Sequence, residues 1–393
     1  MRTGSRVTPD PIVADTSKVG NVSTGASKGA VRRLAARLSG IFRHPAARVA
    51  VTVVALAIFV HSVNLSAALA KFGHLQGSWA LLAMLLTAVT VLTSILEWGF
   101  LLRGACGRVS WHYLGNWYVK GLFINQVVPA GIGSDAARAM QVGRRVGHGP
   151  VIASLVGSRM AGMLGMGFWG LAGAVVLNTG FHTNDVVGFA VFTALMLLAW
   201  ALALIAEPVF ARIRGPETRE RKESWRTHHV TERFAIFLRS LGSYRGAPRA
   251  LLLTILVGSI GWGLNLLALQ AFSQALGHDV SWGVFALALP IALLVTFIPI
   301  SVNGLGIREG VLVFLLALFH VPLATATALA LFVDLQLIPF AAFGGVVHVA
   351  EVVVKRSSLK LSQAGNLHGS MWVLYPALRW LVAPEAVLDM NGG

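Results

Sequence analysis

Two glycine-rich segments of the chain are followed closely by charged residues. In the first, a Gly-Ile-Gly turn after Pro129 precedes Asp135 and Arg138, which at a spacing of three residues would be neighbours on one face of a helix. Backbone amides at the start of such a helix, with Gly131 and Gly133 allowing close approach, suit a phosphate group. The alternative is a plain hairpin turn whose charged side chains form a surface ion pair.

The second segment, residues 303–306, reads Asn-Gly-Leu-Gly and precedes Arg308 and Glu309 at the start of another predicted helix. Arginine suits an anionic group there, because its planar guanidinium matches the oxygen atoms of phosphate or carboxylate. The alternative is an arginine that extends to water from the end of a helix. We favour the binding role, because the adjacent glutamate and the glycines do not help anchoring.

Three further charged residues lie in long apolar segments. Arg159 and Asp334 lie well inside their segments, whereas Glu97 lies near the end of its own. A charge at membrane depth costs on the order of 3 kcal/mol, so each needs a partner or a function. We expect Arg159 and Asp334 to pair with each other, to pair with the charges of the glycine-rich segments, or to bind substrate. Glu97 is expected to reach the interface with water and ranks below them.

These considerations give two sets of candidate residues. The candidate substrate-binding residues are Asp135, Arg138, Arg159, Asn303, Arg308, Glu309 and Asp334. The candidate turn residues are Pro129, Gly131, Gly133, Pro299, Gly304 and Gly306. Broken helices at matching positions in two halves of a transporter usually mark its binding site, so we expect the pathway to lie between the two segments.

The elements that must position these residues are long apolar helices. Hydrophobic residues make up 55% of the 393 residues and charged residues only 12%, about half the share usual in soluble domains. Apolar segments of about 18 residues or more indicate membrane-spanning helices. The six candidate spans are residues 47–64, 79–102, 151–177, 186–206, 250–276 and 325–350. The sequence therefore predicts an all-α, polytopic membrane helix bundle.

Two more apolar regions are interrupted by proline and glycine. Residues 111–145 have basic flanks, and residues 283–320 have nearly uncharged flanks. Each is expected to be a broken helix or re-entrant hairpin, because broken backbone at membrane depth needs protein or a water-filled cavity to satisfy its polar groups. The two halves, about 47–177 and 186–350, then form an inverted repeat. The alternative is two short spans in place of the second hairpin, giving eight spans and no symmetry.

Lysine and arginine are distributed asymmetrically between the connecting segments. Ten lie in residues 207–249. The connections on the opposite side contain Lys71 and no other lysine or arginine; they are residues 65–78, 178–185, 277–282 and 321–324. The positive-inside rule then places both termini in the cytoplasm, and we expect a multi-pass protein of the bacterial inner membrane.

The chain is expected to have one membrane domain between two tails. Residues 1–46 are predicted to be a disordered, basic cytoplasmic tail, because they are rich in small and basic residues and lack apolar periodicity. Residues 47–355 form the transmembrane domain. Residues 356–393 are predicted to be a second cytoplasmic tail that includes a candidate interfacial segment.

Several classes of function are not expected. The net charge of +16 comes from basic blocks between spans, so nucleic-acid binding is not expected. Cys106 is the single cysteine, which excludes an internal disulfide and any multi-cysteine metal site. The histidines have no ligand spacing, and no nucleotide loop or catalytic arrangement is evident. No metal, cofactor or catalysis is therefore expected.

Two stretches of the chain suggest a family: residues 125–138 (NQVVPAGIGSDAAR) with the later Ser158-Arg159, and residues 299–310 (PISVNGLGIREG). They resemble signature regions of the lysylphosphatidylglycerol synthase transmembrane family, also called flippase-like domain proteins. The resemblance covers about residues 47–355. The residues at family motif positions are Pro129, Gly131, Gly133, Asp135, Arg138, Arg159, Asn303, Gly304, Gly306, Arg308 and Glu309. Ser134 and Ser158 depart from it, since the family often has glycine and aspartate there.

The resemblance implies a membrane domain that moves or presents a lipid, as in bifunctional members thought to flip aminoacylated phosphatidylglycerol. Fewer than 40 residues follow residue 355, so aminoacylation by this chain is not expected. The leading hypothesis is a translocase or transport protein for a polar or anionic lipid. The alternative is a non-catalytic membrane subunit or lipid-binding platform for a separate enzyme of an aminoacyl-, glycosyl- or hopanoid-lipid pathway. A third hypothesis is a membrane glycosyltransferase, although the sequence has no obvious donor site.

Overall fold

The computed structural model describes residues 45–62, 65–107, 109–127, 133–177, 183–214, 242–296 and 304–363. Within these ranges every regular element is a helix. The prediction of an all-α protein is therefore confirmed. The N-terminal tail up to residue 44 and the chain after residue 363 lie outside the described residues, as do Pro129, Gly131, Pro299 and Asn303.

The helices are numbered α1 to α12 in chain order. The first half contains α1 (Pro45–Ser62), α2 (Leu65–Phe72), α3 (Gly77–Cys106), α4 (Trp111–Val127), α5 (Gly133–Val146) and α6 (His148–Leu177). The second half contains α7 (Thr183–Arg214), a 3-10 turn (Ser243–Gly246), α8 (Pro248–Ala275), α9 (Trp282–Val295), α10 (Ile307–Leu318), α11 (Leu323–Leu335) and α12 (Ile338–Gln363).

Local sequence signals explain several helix ends. α3 ends at Cys106, and the following Gly107 has a φ of +78°, which suits glycine and little else. α8 begins with Pro248 in its first turn, where the missing N–H has no cost. The hydroxyl of Ser281 caps α9 by accepting a hydrogen bond from the N–H of Gly283 at 3.3 Å.

Four helical segments are long and apolar enough to cross a membrane. They are Gly77–Cys106, His148–Leu177, Pro248–Ala275 and Leu323–Val353, the last of which combines α11 with much of α12. A fifth is possible if Ala50–His61 and Leu65–Phe72, which are bent by 78°, form one span. Residues 186–206 fall in α7, whose apolar part, Val186–Leu202, is shorter. The protein is therefore a multi-pass membrane protein with four of the six expected spans matched directly.

The outer faces of these helices are apolar, and the inner faces are closely packed. Large side chains such as Leu85 and Phe343 are exposed, which suits contact with lipid. At the centre α3 packs against α8. The close approach depends on Gly261, because a Cβ there would lie 2.7 Å from Oγ1 of Thr93.

Both interrupted regions form pairs of short helices. α4 packs against α5, and α9 packs against α10. These helices have 17, 14, 14 and 12 residues, so at ~1.5 Å per residue each is shorter than the ~30 Å hydrocarbon core. In addition, α4 packs against α12, and α9 packs against α6. Glycine allows both contacts: a Cβ on Gly344 would overlap the carbonyl of Val119, and one on Gly173 would lie 2.8 Å from the Cβ of Ala286.

A polar contact joins α2 to the loop after α8. Nζ of Lys71 lies 3.1 Å from Nε2 of His278. Burial and the neighbouring charge of Lys71 lower the pKa of His278. The neutral imidazole therefore accepts the hydrogen bond that Lys71 donates.

Candidate functional site

A cavity of about 320 Å³ lies at the centre of the bundle. Its walls come from α3, α4, α8, α9, α10 and α11 and from the short break between α11 and α12. The polar residues that line it are Thr87, Thr90, Ser94, Glu97, Tyr118, Asn265, Arg308 and Gln336. Polar groups inside a membrane protein are costly unless they serve a cavity or a partner, so this lining marks the candidate site.

One face of α3 supplies half of these polar residues. Thr87, Thr90, Ser94 and Glu97 are spaced by three, four and three residues, which aligns them along a helix. The hydroxyls of the first three donate to carbonyls of α3 itself, each at 2.9 Å. Their donors are thus satisfied within the helix, and their oxygen atoms remain able to accept hydrogen bonds from a ligand.

Gln336 closes one side of the cavity at the break between α11 and α12. Its Oε1 lies 2.9 Å from Oγ1 of Thr87, whose single hydroxyl hydrogen is shared between this oxygen and the carbonyl of Ala83, and its Nε2 donates to the carbonyl of Val333 at 3.3 Å. The side chain is only 5% exposed. It therefore connects the broken span to α3.

The first ion cluster consists of Asp135, Arg138 and Arg159. Asp135 accepts hydrogen bonds from Arg138 at 2.7 Å and from Nε and Nη2 of Arg159 at 2.8 and 2.5 Å. The neighbouring positions predicted for Asp135 and Arg138 on α5 are confirmed, and Arg159 of α6 joins them. Two arginines and one aspartate give the cluster a net charge of +1.

Arg138 links the first ion cluster to the cavity. Its guanidinium lies 4.9 Å from the ring centres of both Trp98 and Tyr118, and Tyr118 lines the cavity. The side chain of Arg138 is 11% exposed, whereas that of Arg159 is 53% exposed. Arg138 is thus the inner cation of this cluster and Arg159 the accessible one.

The second ion cluster consists of Arg308, Glu309 and Asp334. Arg308 donates to Oε1 of Glu309 from Nε at 3.0 Å and from Nη2 at 2.8 Å, and it also contacts Asp334 of α11. One arginine meets two carboxyl groups, so the formal charge of this cluster is −1 when both acids are ionised. Arg308 lines the cavity, so the second ion cluster also borders it.

The start of α10 differs from the expected anion site in one respect. The N–H of Gly306, where φ is +82°, donates to Oε2 of Glu309 at 2.5 Å. This carboxylate therefore caps its own helix and occupies one of the backbone donors at the start of α10. Gly304 also has a positive φ of +76°, in agreement with its predicted role as a turn residue.

Glu97 is buried, so the expectation that it reaches the interface is wrong. It is 9% exposed and lies on the cavity wall, where Oγ of Ser158 donates to its Oε1 at 3.0 Å. A Cβ on Gly258 of α8 would lie 3.1 Å from its carboxyl carbon. Glycine at that position gives Glu97 room to stay inside the bundle.

Sequence reasoning also missed a buried ion pair between α4 and α12. Lys120 is 1% exposed and pairs with Glu351, which also accepts a hydrogen bond from Nδ2 of Asn116 at 2.9 Å. The ammonium group lies 4.6 Å from the ring centre of Trp117. The pair holds the first broken helix against the last span. Among the described residues no group of histidine, cysteine and carboxylate side chains could hold a metal ion.

Comparisons with known proteins connect the site to one family. The family model described as the lysylphosphatidylglycerol synthase TM region matches residues 46–344. No curated protein matches the chain. The matched segment begins in α1 and ends in α12, and it includes both ion clusters and all the polar residues of the cavity wall.

Proposed function

Because this chain belongs to the family of the lysylphosphatidylglycerol synthase TM region, we propose that it is a translocase or transport protein for a polar or anionic membrane lipid. The observation that carries the proposal is the polar cavity between the two broken-helix regions. A purely structural bundle has no need of eight polar residues around an internal space. A lipid head group needs such a space to leave water and enter the membrane core.

The volume of the cavity suits a head group. A site for one water molecule needs only ~10–15 Å³ of cavity volume, so 320 Å³ is large enough for many waters or for one polar head group. This is enough for a phosphate and its substituent. The acyl chains would remain in the bilayer beside the exposed apolar faces of the helices. Arg308 at the wall and Arg138 behind Tyr118 supply the positive charges that an anionic head group would meet.

The helix contacts support an inverted repeat. If α3 to α6 correspond to α8 to α11–α12, then the packing of α4 against α12 has its counterpart in that of α9 against α6. Likewise the contact between α4 and α5 corresponds to that between α9 and α10. The contact between α5 and α6 corresponds to that between α10 and α11. We infer that the two broken pairs are re-entrant hairpins entering from opposite faces, with the cavity between them.

The proposed location is the bacterial inner membrane with both termini in the cytoplasm. The support comes from the ten lysines and arginines in residues 207–249 and from their scarcity in the opposite connections. In this orientation the first ion cluster lies toward the cytoplasm and the second toward the outside.

Reconstitution tests the proposed function. Purified protein is placed in phosphatidylcholine vesicles that contain a trace of NBD-labelled phosphatidylglycerol, and external dithionite then bleaches the label in the outer leaflet. We expect the protein to bring label from the inner leaflet to the outer one. Ser94→Phe, which fills the cavity from α3, should abolish this movement. Leu92→Phe on the lipid-facing side of the same helix, where Leu92 is 57% exposed, is the matched control and should behave like the parent.

The same vesicles distinguish translocation from the alternative role. A protein that binds the labelled lipid but leaves the inner-leaflet fraction unchanged would fit a platform for a separate lipid-modifying enzyme. Equal rates for Ser94→Phe and the parent would show that the cavity is not the pathway.

A further inference from the structure

Glu97 is a carboxyl group in the cavity wall that forms no ion pair with any lysine or arginine of the described residues. It is 9% exposed, and its single described side-chain hydrogen bond comes from Oγ of Ser158 at 3.0 Å. Within the described ranges no lysine or arginine lies at ion-pair distance from it, in contrast to the acids of both ion clusters. Removing an unpaired carboxylate from water is costly, whereas the protonated acid is uncharged.

The surroundings of Glu97 balance its charge only from a distance, through Arg138 of the first ion cluster. The titratable and charged groups nearest to it on the neighbouring helices are Tyr118 of α4, Asp135 and Arg138 of α5, and Arg159 of α6. Both arginines donate to Asp135 rather than to Glu97, so the remaining positive charge of the cluster acts on Glu97 without a hydrogen bond. On the α8 side Glu97 meets Gly258 and Thr254, neither of which titrates.

We propose that Glu97 binds and releases a proton inside the cavity and that this step is coupled to movement of the lipid head group. The coupling rests on the proposed function, whereas the proton site itself does not. A proton from bulk water enters through the cavity, forms an O–H bond on the carboxyl group, and is later released to water. An anionic head group near Glu97 favours the protonated acid, because it repels the carboxylate.

Infrared titration of the full chain in detergent tests the proton site without reference to transport. The C=O stretch of a protonated carboxyl group should appear in the parent as the pH falls and should be missing in Glu97→Gln. Asp279→Asn, a change at an exposed acid outside the cavity, is the control for loss of a carboxyl group elsewhere and should retain the band. In Ser158→Ala the midpoint should move to higher pH, because the hydroxyl no longer stabilises the carboxylate. If no titrating band is lost in Glu97→Gln, there is no proton site at Glu97.

Transport of NBD-labelled phosphatidylglycerol under an imposed pH gradient tests the coupling. The rate in phosphatidylcholine vesicles should differ severalfold between the two gradient directions for the parent and for Asp279→Asn. Glu97→Gln, which resembles the protonated acid, should move lipid at the same rate in both directions. Equal gradient responses of Glu97→Gln and the parent would overturn the coupling. If the parent moves no lipid under any gradient, the proposed function and the coupling both fail, and the infrared result alone decides whether Glu97 binds a proton.

Discussion

At Arg308 one guanidinium lies between two carboxylates, those of Glu309 and Asp334. Truncation to Arg308→Ala leaves both acids without their cation, which should reduce stability by about 3–5 kcal/mol. Adding Glu309→Gln and Asp334→Asn should restore much of this loss, because the remaining groups are uncharged. Thermal unfolding in detergent measures both effects.

The neutral triple variant also separates a structural role from a binding role. If Arg308 contacts the head group, the variant should be folded yet move little lipid. Arg308→Lys keeps the positive charge but lacks the planar guanidinium, so lipid transport by this variant should also be slower than in the parent. Transport by the triple variant at the parental rate would make the second ion cluster a packing device only.

Contacts between charged side chains could be predicted where the two residues are close together in the sequence. Asp135 and Arg138 are three residues apart, and the helix brings them together as expected. Glu97 was misjudged because its depth depends on Gly258, a residue of α8 far away in the sequence. The spacing of Thr87, Thr90, Ser94 and Glu97 on one helical face was a local signal that could have identified the cavity wall.

The contact between α4 and α12 is the tightest helix contact that a single substitution can test. Gly344→Ala would place a methyl group on the carbonyl of Val119, so the two helices must separate. Such overpacking should cost about 1–3 kcal/mol. The shift would also disturb the neighbouring pair of Lys120 and Glu351. The midpoint of thermal unfolding in detergent should fall accordingly.

Gly188→Ala in α7 is the matched control for this contact. A Cβ on Gly188 meets nothing within 4 Å, so alanine should stabilise the helix by up to ~1 kcal/mol. If both substitutions change the midpoint in the same direction, helix propensity rather than the contact with Val119 determines the effect at Gly344.

At the level of elements, the length of the apolar segments predicted which helices are long, and proline and glycine predicted where helices break. The breaks within residues 111–145 and 283–320 occur in the predicted regions. The break at Gln336 was missed, because residues 325–350 are apolar enough to read as one span. A local cause was present in the sequence: Pro339 has no N–H to donate to the carbonyl of Leu335, so the helical ladder is interrupted just after Gln336, whose own N–H still donates to the carbonyl of Phe332 at 2.9 Å.

For the whole molecule, the charge asymmetry makes a topological prediction. In a Cys106→Ser background, Asn184→Cys should react with an impermeant maleimide from outside intact cells, whereas Ser224→Cys should react only in inverted vesicles. Mass shifts on gels report the labelling. Reaction of both cysteines from the same face would contradict the proposed orientation.

With all six side chains ionised, the two ion clusters have opposite formal charges, and together they form an electric dipole along the cavity, positive at the first cluster and negative at the second. In the proposed orientation the positive end faces the cytoplasm, which is the negative side of an energised bacterial membrane. Moving one charge across 100 mV is worth ~2.3 kcal/mol, so the membrane potential stabilises this arrangement over its inverse. Any conformational change that carries either cluster part of the way across the bilayer is therefore voltage-dependent.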